Sequence, residues 1–575
     1  MILDGVRINY GIYDRTIDDD TITSVESSGS DYSDYSNTTP FDVNEDKDKI
    51  TYLEKDYFIL DGSHTFPEGG KSYNVGWESG VLSNSSGVMN QYIEYIFQNT
   101  HDSYGVEIRF PDYCAAKDFK IDYYKDNTLV GSRTVTNNTL EKYTNYDNRI
   151  QWNRVRLTFT KVNPQQRARI WYITLGINDF YDEDVLISAE AIRKTDLTGN
   201  YDYCGEFSFE FFNSGRFDIH DITEFPINLQ EGQKTIIYVK AKGSSEYVPF
   251  GQYYSETTEV SENGRVVKIY GYDELYNLND TVYKKGKIYP EGRSLYDWAQ
   301  EVAEDAGISI TIDEAFQNII STGYITEVPH REALRLIAEA GNGMLIVDKN
   351  GKILLDKHVS VDNGTLNSNN VVETSFVIDS TNKTLGVTVV RYTFSAASEI
   401  QELGHLDSIV LTRTPQEIEI AYTNYPVVTS SVTVSIDDAS SAQISNLRVY
   451  GDRCVFYISG TEGDTTFIDV NGKPYNSAMT TITRGSVLKN IKTIENNYLI
   501  TGGIGDNVAD HQYERLVNKY NYTMETVTEK QIELGDKIQL DVDEESSRVD
   551  AIYVTEIGFE LSAEKQIETI GGVDE

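Results

Sequence analysis

The chain has 575 residues, of which 39% are hydrophobic and 25% charged, and its 91 acidic and 50 basic residues give a net charge of −41. This length predicts about three to five domains. The acidity excludes stable nucleic-acid binding by the surface as a whole, because phosphate recognition needs clustered Lys and Arg. Solubility is the plainer interpretation of the charge, and a negatively lined channel that DNA passes without binding is the sharper one.

Membrane and secretory segments are not expected. The longest apolar runs are far shorter than the roughly 20 residues of a membrane helix. The first fifteen residues, MILDGVRINYGIYDR, lack a basic region followed by an apolar core, so they predict no secretory signal.

Residues for metal, cofactor or catalytic chemistry do not occur at the spacings that such chemistry needs. The three cysteines lie far apart, which excludes a disulfide scaffold and fits a reducing cytosol. The seven histidines form no HxxxH pair, and no serine-hydrolase, phosphate-loop or EF-hand motif is present. Asp122, Asp126 and Asp147 would suit calcium, but solvated turn carboxylates are the favoured interpretation. We therefore expect no metal, no cofactor and no enzymatic activity.

The N-terminal region begins with a predicted strand and then turns polar. Asp18–Asn44 is rich in Ser, Asp, Thr and Tyr, with few apolar residues. Such a segment cannot bury enough surface to fold alone, so it predicts an extended loop or arm.

Residues 57–176 carry short alternating apolar runs separated by Asn, Gly and Ser turns. The predicted strands are Tyr92–Phe97, Val106–Phe110, Phe119–Tyr123, Leu129–Val135, Val155–Phe159 and Arg169–Leu175. Runs spaced about ten residues apart are typical of an antiparallel sandwich. The length suits one independent domain.

Six pieces of this segment, in order, resemble the galactose-binding-like (discoidin-type) jelly rolls. They are YFILDG (57–62), VGWESGVLS (75–83), GVEIRF (105–110), DFKIDYY (118–124), NRVRLTFT (153–160) and RARIWYITLG (167–176). The resemblance implies glycan binding through the loops at one end of the sandwich. Trp77, His101, Tyr104 and Trp152 are the candidate glycan-binding residues, and packing in the core or rim is the alternative for each.

Residues 177–285 return to long β patterning. Phe207, Phe209 and Phe211 alternate with polar residues, which places the three rings on one face of a strand. Tyr247–Leu278 predicts two further strands with a turn at Glu262-Asn263-Gly264. We expect residues 1–56 and 177–285 to form one barrel, into which the sandwich at 57–176 is inserted, since long insertions in surface loops cost little entropy.

Residues 286–356 change to helical spacing and predict a small α/β domain. Ser294 would cap a helix that runs to about Ala306 and ends at Gly307. A second helix would follow Pro329 and end at Gly341. The hairpin Met344–Leu355 is predicted by its Asn-Gly turn.

The remaining residues are again rich in β signals. Residues 357–424 and 482–575 predict a second barrel, and 425–481 a small β insert with a hairpin turn at Asn471-Gly472. Asp506–Tyr520 predicts the last helix. The other predicted strands are Val387–Phe394, Ser408–Thr412, Ile418–Tyr422, Val427–Ser435, Asn446–Tyr457, Phe467–Val470, Tyr522–Thr528, Lys537–Val542 and Ile552–Glu560.

Outside the sandwich, a series of segments resembles the hub proteins at the tip of phage tails. They are YVPFGQYY (247–254), VVKIYGYDELYNL (266–278), SLYDWAQEVAEDAGI (294–308), HREALRLIAEAGNGMLIVDKNGKILL (330–355), IENNYLIT (494–501), ELGDKIQL (533–540) and YVTEIGFEL (553–561). The resemblance implies a mainly β fold of two hub-type barrels with smaller α/β inserts. It also implies a homotrimer whose six barrels line a ring that continues the tail tube.

The same resemblance implies a structural role. The partners would be further copies of the chain, the tail tube, distal tail or baseplate proteins, the tape-measure protein, and a central spike or fibre. Assembly would take place in the host bacterial cytoplasm and end at the virion tail tip, with DNA only in transit. The alternative is an adhesin that binds a host surface glycan through the sandwich.

Overall fold

The chain folds mainly into β-strands. The computed structural model describes residues 3–12, 22–27, 77–111, 114–170, 172–182, 184–199, 204–213, 232–241, 246–261, 264–357, 362–379, 383–437, 440–526, 532–541, 550–562 and 566–574. Most of the predicted arm at Asp18–Asn44 and the turn at 262–263 lie outside these residues.

The elements follow one another in chain order. Up to residue 194 the strands are β1 (Leu3–Ile12), β2 (Ile22–Ser27), β3 (Trp77–Glu78), β4 (Val88–Arg109), β5 (Asp118–Lys125), β6 (Thr128–Val135), β7 (Lys142–Lys161), β8 (Arg169–Ile170), β9 (Tyr172–Thr174), β10 (Ile177–Tyr181) and β11 (Leu186–Lys194). From 206 to 356 there follow β12 (Glu206–Phe212), β13 (Lys234–Ala241), β14 (Val248–Ser261), β15 (Val266–Tyr272), α1 (Glu274–Asn277), β16 (Val282–Tyr283), β17 (Arg293–Ser294), α2 (Leu295–Ala306), β18 (Ile310–Ile312), β19 (Ile320–Ser321), β20 (Val328–Pro329), α3 (His330–Gly341), β21 (Met344–Val347) and β22 (Ile353–Asp356). The last part contains β23 (Asp362–Asn367), β24 (Val377–Asp379), β25 (Gly386–Ala396), β26 (Gln401–Val410), β27 (Gln416–Ala421), β28 (Thr433–Ile436), β29 (Gln443–Val449), β30 (Arg453–Ser459), β31 (Thr465–Gly472), β32 (Tyr475–Gly485), β33 (Ile491–Ile494), α4 (Ile504–Leu516), β34 (Asn521–Thr526), β35 (Lys537–Asp541), β36 (Asp550–Leu561) and β37 (Gln566–Asp574).

Thirteen strands from both ends of the chain form one continuous sheet. Its order is β10-β1-β13-β14-β15-β12-β11-β36-β37-β34-β24, with β35 beside β36 and β23 beside β35. The predicted alternation in β12 is confirmed, because Phe207, Phe209 and Phe211 are all buried. Among the described residues, β10 and β24 at the two ends of this order do not pair with each other. Closure into two barrels therefore stays a prediction.

Two large modules are inserted at the two ends of this sheet. The chain leaves β1 at Ile12 and returns at Ile177, which is its register partner in β10. It leaves again after Asp379 and returns at Asn521, which are register partners in β24 and β34. Residues 13–176 and 380–520 are therefore excursions between strands that lie side by side.

The first excursion contains the predicted sandwich region. Its main sheet has the order β2-β4-β7-β5-β6, with β9 on the other side of β4, while β3 pairs with β8. Two predicted strands, Tyr92–Phe97 and Val106–Phe110, belong to the single strand β4. The polar residues between them stay in the strand, because register shifts near residues 96–105 let the pairing with β7 continue. The predicted loop was wrong at Ile22–Ser27, which pairs with β4.

The two helices and the hairpin predicted for residues 286–356 are confirmed. Helix α2 begins after Ser294, whose hydroxyl accepts a hydrogen bond from the backbone N–H of Asp297, and ends at Gly307 with a φ of 71°. Helix α3 starts after Pro329 and ends at Gly341, and β21 pairs with β22 as the predicted hairpin. Strand β18 adds to β22 in parallel.

The second excursion differs from its prediction in strand pairing. Asn471 and Gly472 are the last residues of β31, which pairs with β26 and β28, so the predicted hairpin turn there was wrong. The stretch 446–457 contains two strands, because the chain turns between Val449 and Arg453. Strand β26 pairs with β31 and β27 pairs with β30, so both pairings cross the predicted boundary at 424/425. Strand β25 joins β32 and β33 in a separate sheet. The division into domains therefore stays a prediction.

The C-terminal part matches its prediction closely. Helix α4 runs from Ile504 to Leu516, two residues earlier at its start and four earlier at its end than predicted. The three predicted terminal strands are present as β34, β35 and β36. A fourth, β37, was not predicted, and it pairs with both β34 and β36.

Candidate functional site: assembly surfaces of the sheet

The four candidate glycan-binding residues lie in the sandwich region. His101 and Trp152 are cross-strand partners in β4 and β7, with ring centroids 5.7 Å apart. Trp77 stacks on Phe159 at 5.4 Å. The exposed fractions of Trp77, His101 and Trp152 are 2%, 1% and 0%, so these rings are buried. The side chain of Tyr104 lies outside the described atoms, and glycan binding stays a prediction.

A seam joins the two halves of the long sheet. Strand β11 pairs antiparallel with β36 from Ala189↔Leu561 to Lys194↔Glu556. The Lys194 Nζ and Glu556 Oε2 atoms lie 3.2 Å apart at the end of this seam. One hydrophobic core extends under both halves, since it contains residues such as Phe209 and Phe559. A sheet with one shared core resists hinge motion between its halves.

Ion pairs at Glu533 connect the α/β unit to the strands of the seam. Arg193 Nη1 of β11 lies 3.0 Å from Glu533 Oε2, just before β35. Lys349 Nζ, in the β21–β22 turn, lies 3.1 Å from the other oxygen of Glu533. Three separate parts of the sequence therefore meet at one carboxylate.

Two close approaches fix the geometry of the segment YGYDEL (270–275). Asp273 is buried, and its carboxylate accepts hydrogen bonds from the backbone N–H groups of Gly205 (2.6 Å) and Leu275 (3.0 Å). Burial raises the pKa of Asp273 to about 7. A Cβ on Gly271 would lie 1.9 Å from the carbonyl oxygen of Tyr254, so no side chain fits there. The aspartate thus ties the start of α1 to the strand β12.

A second junction fixes both helical pieces to the first half of the sheet. Gln512 of α4 donates from Nε2 to the carbonyl of Thr198 at 2.7 Å. A Cβ on Gly199, whose φ is 72°, would lie 2.6 Å from the backbone nitrogen of Glu339 in α3. Glu339 is buried and accepts from Asn497 Nδ2 at 2.9 Å, and burial raises the pKa of its carboxyl group. The loop after β11, α3 and α4 are consequently locked together.

A cluster of charges joins the α/β unit to the second excursion. Arg453 is only 4% exposed, and its guanidinium contacts Glu327, Glu419 (2.7 Å) and Asp452 (3.0 Å). Lys284 Nζ lies 3.4 Å from Glu327. The hydrogen bond from Arg453 lowers the pKa of Glu327, so this carboxylate stays charged near neutral pH.

Free strand edges remain on the surface of the described part of the chain. Strand β32 pairs along its full length with β25, and within the described residues no strand pairs with its other edge, where only the N–H of Tyr475 bonds the carbonyl of Pro426. Its middle, from Asn476 to Thr481, is exposed and uncharged, and the side chain of Met479 is 69% exposed. Val377 and Ile378, on the terminal strand β24, are exposed too. Unpaired edges without charges are templates for pairing with another chain.

Groups for chemistry are sparse in the described residues. Among them no group of three or more His, Cys, Asp or Glu side chains is arranged to hold a metal ion. Cys114, Cys204 and Cys454 are buried thiols, and burial raises the pKa of Cys204 to about 12. No helix of the described part is long and apolar enough to cross a membrane.

The junction residues were not identified as functional from the sequence. Arg193, Glu533 and Gln512 lie far apart in the chain, so no local pattern connects them. Asp273 lies in the segment VVKIYGYDELYNL, but nothing in that segment points to its partner Gly205. A spacing rule could have found only the α1 cap, since Asp273 precedes that helix directly.

Comparisons with known proteins found structural likeness only. No protein-family model and no curated protein sequence matches the chain. The chain is similar to the 43 kDa tail protein of prophage MuSo2 from Shewanella oneidensis, with 14% identity, a TM-score of 0.38, and 68% of this chain and 95% of that chain covered. It is also similar to a tail protein from Neisseria meningitidis MC58, with 11% identity, a TM-score of 0.39 and coverages of 69% and 94%.

A third similarity is to a Francisella PdpA-VgrG complex, with 11% identity, a TM-score of 0.34, and 83% of this chain and 58% of that chain covered. At these TM-scores the superpositions fix no residue correspondences.

Proposed function

We propose that this chain is a structural hub protein at the distal end of a phage or phage-like tail. Three copies would form a ring that connects the tail tube and the distal tail or baseplate proteins to a central spike or fibre. The tape-measure protein would contact the ring during assembly, which would take place in the bacterial cytoplasm. No catalytic role is part of this proposal.

The observation that carries the proposal is the single thirteen-stranded sheet with its β11–β36 seam. Both ends of the chain contribute to this wall, and every module is inserted between neighbouring strands of it or follows one of them directly. Such an arrangement keeps the wall rigid while the modules vary. A ring that transmits force along a tail needs this stiffness, and the segments that resemble tail hubs in sequence include β14, β15 and β36.

Charge supports the same role. A surface with a net charge of −41 per copy repels the phosphates of passing DNA, which favours transit over binding. The exposed edges of β24 and β32 offer backbone groups for pairing with neighbouring proteins.

The first test is the mass and shape of the purified chain. Three copies of a 65.0 kDa chain give about 195 kDa by light scattering or native mass spectrometry. Negative-stain images should show a threefold ring with an axial opening, alone or after co-expression with the proteins encoded beside it. A stable monomer that joins no tail complex under either condition would refute the proposal.

The second test needs only the neighbouring reading frames. A tape-measure gene upstream, with a distal-tail or baseplate gene beside it, is the expected arrangement. Neighbours that encode only metabolic enzymes would count against a tail role.

A further inference from the structure

A pocket of about 290 Å³ lies on the outer side of the first half of the sheet, where β14, the end of β15 and helix α1 meet. Its lining includes the side chains of Tyr254, Glu256, Tyr272, Tyr276, Asn277 and Asp280, and Gly232 and Ser255 complete it. The junctions described above do not use these side chains. The pocket is therefore a separate feature of the sheet surface.

One wall of the pocket is a rigid pair of aromatic rings. Tyr272 and Tyr276 stack with their centroids 4.1 Å apart and an interplanar angle of 14°. The Tyr276 hydroxyl donates a hydrogen bond to Glu256 Oε1 at 2.6 Å. That bond raises the pKa of Tyr276 to about 12, so the phenol keeps its proton and the ring stays in place.

The charge in the pocket is of one sign. Glu256 and Asp280 are both part of its lining, whereas no Lys, Arg or His side chain is, among the residues that the structure describes. Carboxylates beside aromatic faces attract cations, because both the charges and the ring quadrupoles favour positive groups.

One of the lining residues, Asn277, has a side-chain donor that is unsatisfied among the described residues. The Nδ2 atom of Asn277 is buried, and within the described residues it has no hydrogen-bond partner. A buried N–H group without an acceptor is unfavourable, so a ligand that brings a carbonyl oxygen would be stabilised there.

We propose that this pocket binds a basic side chain, Arg or Lys, presented on a peptide segment of a partner protein. The cationic head would lie between Glu256 and Asp280, and its methylene stem or guanidinium plane would pack on Tyr272. A backbone carbonyl of the same segment would accept the hydrogen bond of Asn277. A sugar would also suit aromatic rings and carboxylates, but two carboxylates with no cation beside them in the described lining favour a cation.

The pocket would make this chain a receptor for a short basic segment, independently of the proposed place in a tail. The ring could assemble without it, and the pocket could bind in a monomer. Failure of one proposal therefore leaves the other standing.

The test uses the full chain and short blocked peptides. Saturation-transfer NMR and calorimetry would compare acetyl-Gly-Gly-Arg-Gly-Gly-amide with the same peptide carrying Lys, Gln or Glu, and with simple monosaccharides. The Arg and Lys peptides should bind at least about tenfold more tightly than the Gln peptide, with binding weakened by salt. The saturation should be strongest on the Arg side-chain methylenes.

Variants locate the binding. Glu256→Gln combined with Asp280→Asn should weaken the Arg peptide at least about tenfold, and Tyr272→Leu should weaken it severalfold. Glu259→Gln, on the same strand but outside the lining, removes one charge as a matched control and should change binding less than twofold. Melting curves would verify that all variants are folded.

Three results would overturn the inference. Equal binding of the Gln and Arg peptides would show that charge is not recognised. An equal loss of affinity for the Arg peptide in the Glu259→Gln control would show that the peptide is attracted by the overall negative charge of the protein and not by this pocket. Binding of a monosaccharide at this pocket, with none of the Arg peptide, would assign the site to sugars.

Discussion

The buried carboxyl of Asp273 gives the sharpest prediction for this molecule. Its oxygens accept hydrogen bonds from the N–H groups of Gly205 and Leu275, so it joins the start of β12 to the start of α1. Burial raises the pKa of Asp273 from its ordinary value of 3.8 to about 7 in the folded chain, although the two hydrogen bonds oppose this shift.

The sign of the pH effect follows from proton binding. Between about pH 4 and pH 7 the folded state holds a proton on Asp273 that the unfolded state has lost. Stability contributed by this group is thus fully present below the unfolded pKa and is lost as the pH rises through the folded pKa. The slope is about 1.4 kcal/mol per pH unit, so the loss between about pH 5 and pH 6.5 is about 2 kcal/mol.

The perturbation is Asp273→Asn, which cannot ionise. The amide retains one acceptor oxygen, so one backbone hydrogen bond is lost, with a pH-independent cost of about 0.5–2 kcal/mol. The other 90 acidic residues are the same in both proteins, and their titration cancels in the comparison.

The assay is urea unfolding followed by fluorescence, at about pH 5, 6.5 and 8. Equal denaturant slopes in the two proteins make the difference in midpoint a difference in stability. Wild type should lose about 2 kcal/mol relative to the variant between the first two pH values and little more above about pH 8. Parallel pH profiles for the two proteins would refute the reasoning, because they would show that Asp273 titrates alike in the folded and unfolded chains.

Three further substitutions test the packing. Gly271→Ala should lower stability by about 1–3 kcal/mol, since the new Cβ would overlap a backbone carbonyl oxygen. The new Cβ of Gly503→Ala would meet no atom within 4 Å, so this control should change stability by less than about 0.5 kcal/mol. Thermal melting compares the two variants, and equal effects would contradict the geometry. In urea unfolding, Arg453→Met should lower the free energy of unfolding by about 1–2 kcal/mol, because it removes three ion pairs whose carboxylates are only partly exposed. Arg413→Met, at a side chain that is 83% exposed, is the control and should leave stability unchanged. Equal stabilities of the two variants would exclude a stabilising role for the Arg453 cluster. Trp152→Ala should lower stability by about 3–5 kcal/mol, because the whole ring is buried. A variant as stable as wild type would contradict the core packing. A glycan array on the intact protein tests the predicted sugar binding separately.

Elements with local signals were predictable from the sequence. Helix α2 begins after Ser294 and ends at Gly307 as expected, since a side-chain cap and a left-handed glycine act within a few residues of the helix. The three phenylalanines of β12 share a buried face because alternation along a strand is a local property. The mainly β fold class follows from the same signals.

Contacts between distant segments could not be predicted in this way. Asn471-Gly472 has the composition of a hairpin turn, yet β31 continues through it, because pairing with β26 and β28 outweighs the turn preference. The direction in which the ring of Trp152 points also depends on which side of β7 faces the core. A single strand pattern does not contain that information.

The sequence by itself determined the class of the fold and the ends of the α2 and α3 helices, because these depend on neighbours a few residues apart. Only the tertiary structure decided that Ala191 lies opposite Phe559, that the two excursions leave from paired strands, and that Tyr272, Glu256 and Asn277 share one pocket. Register between distant strands is selected by the burial of whole faces against each other, and that selection takes place only once the chain has brought those faces together.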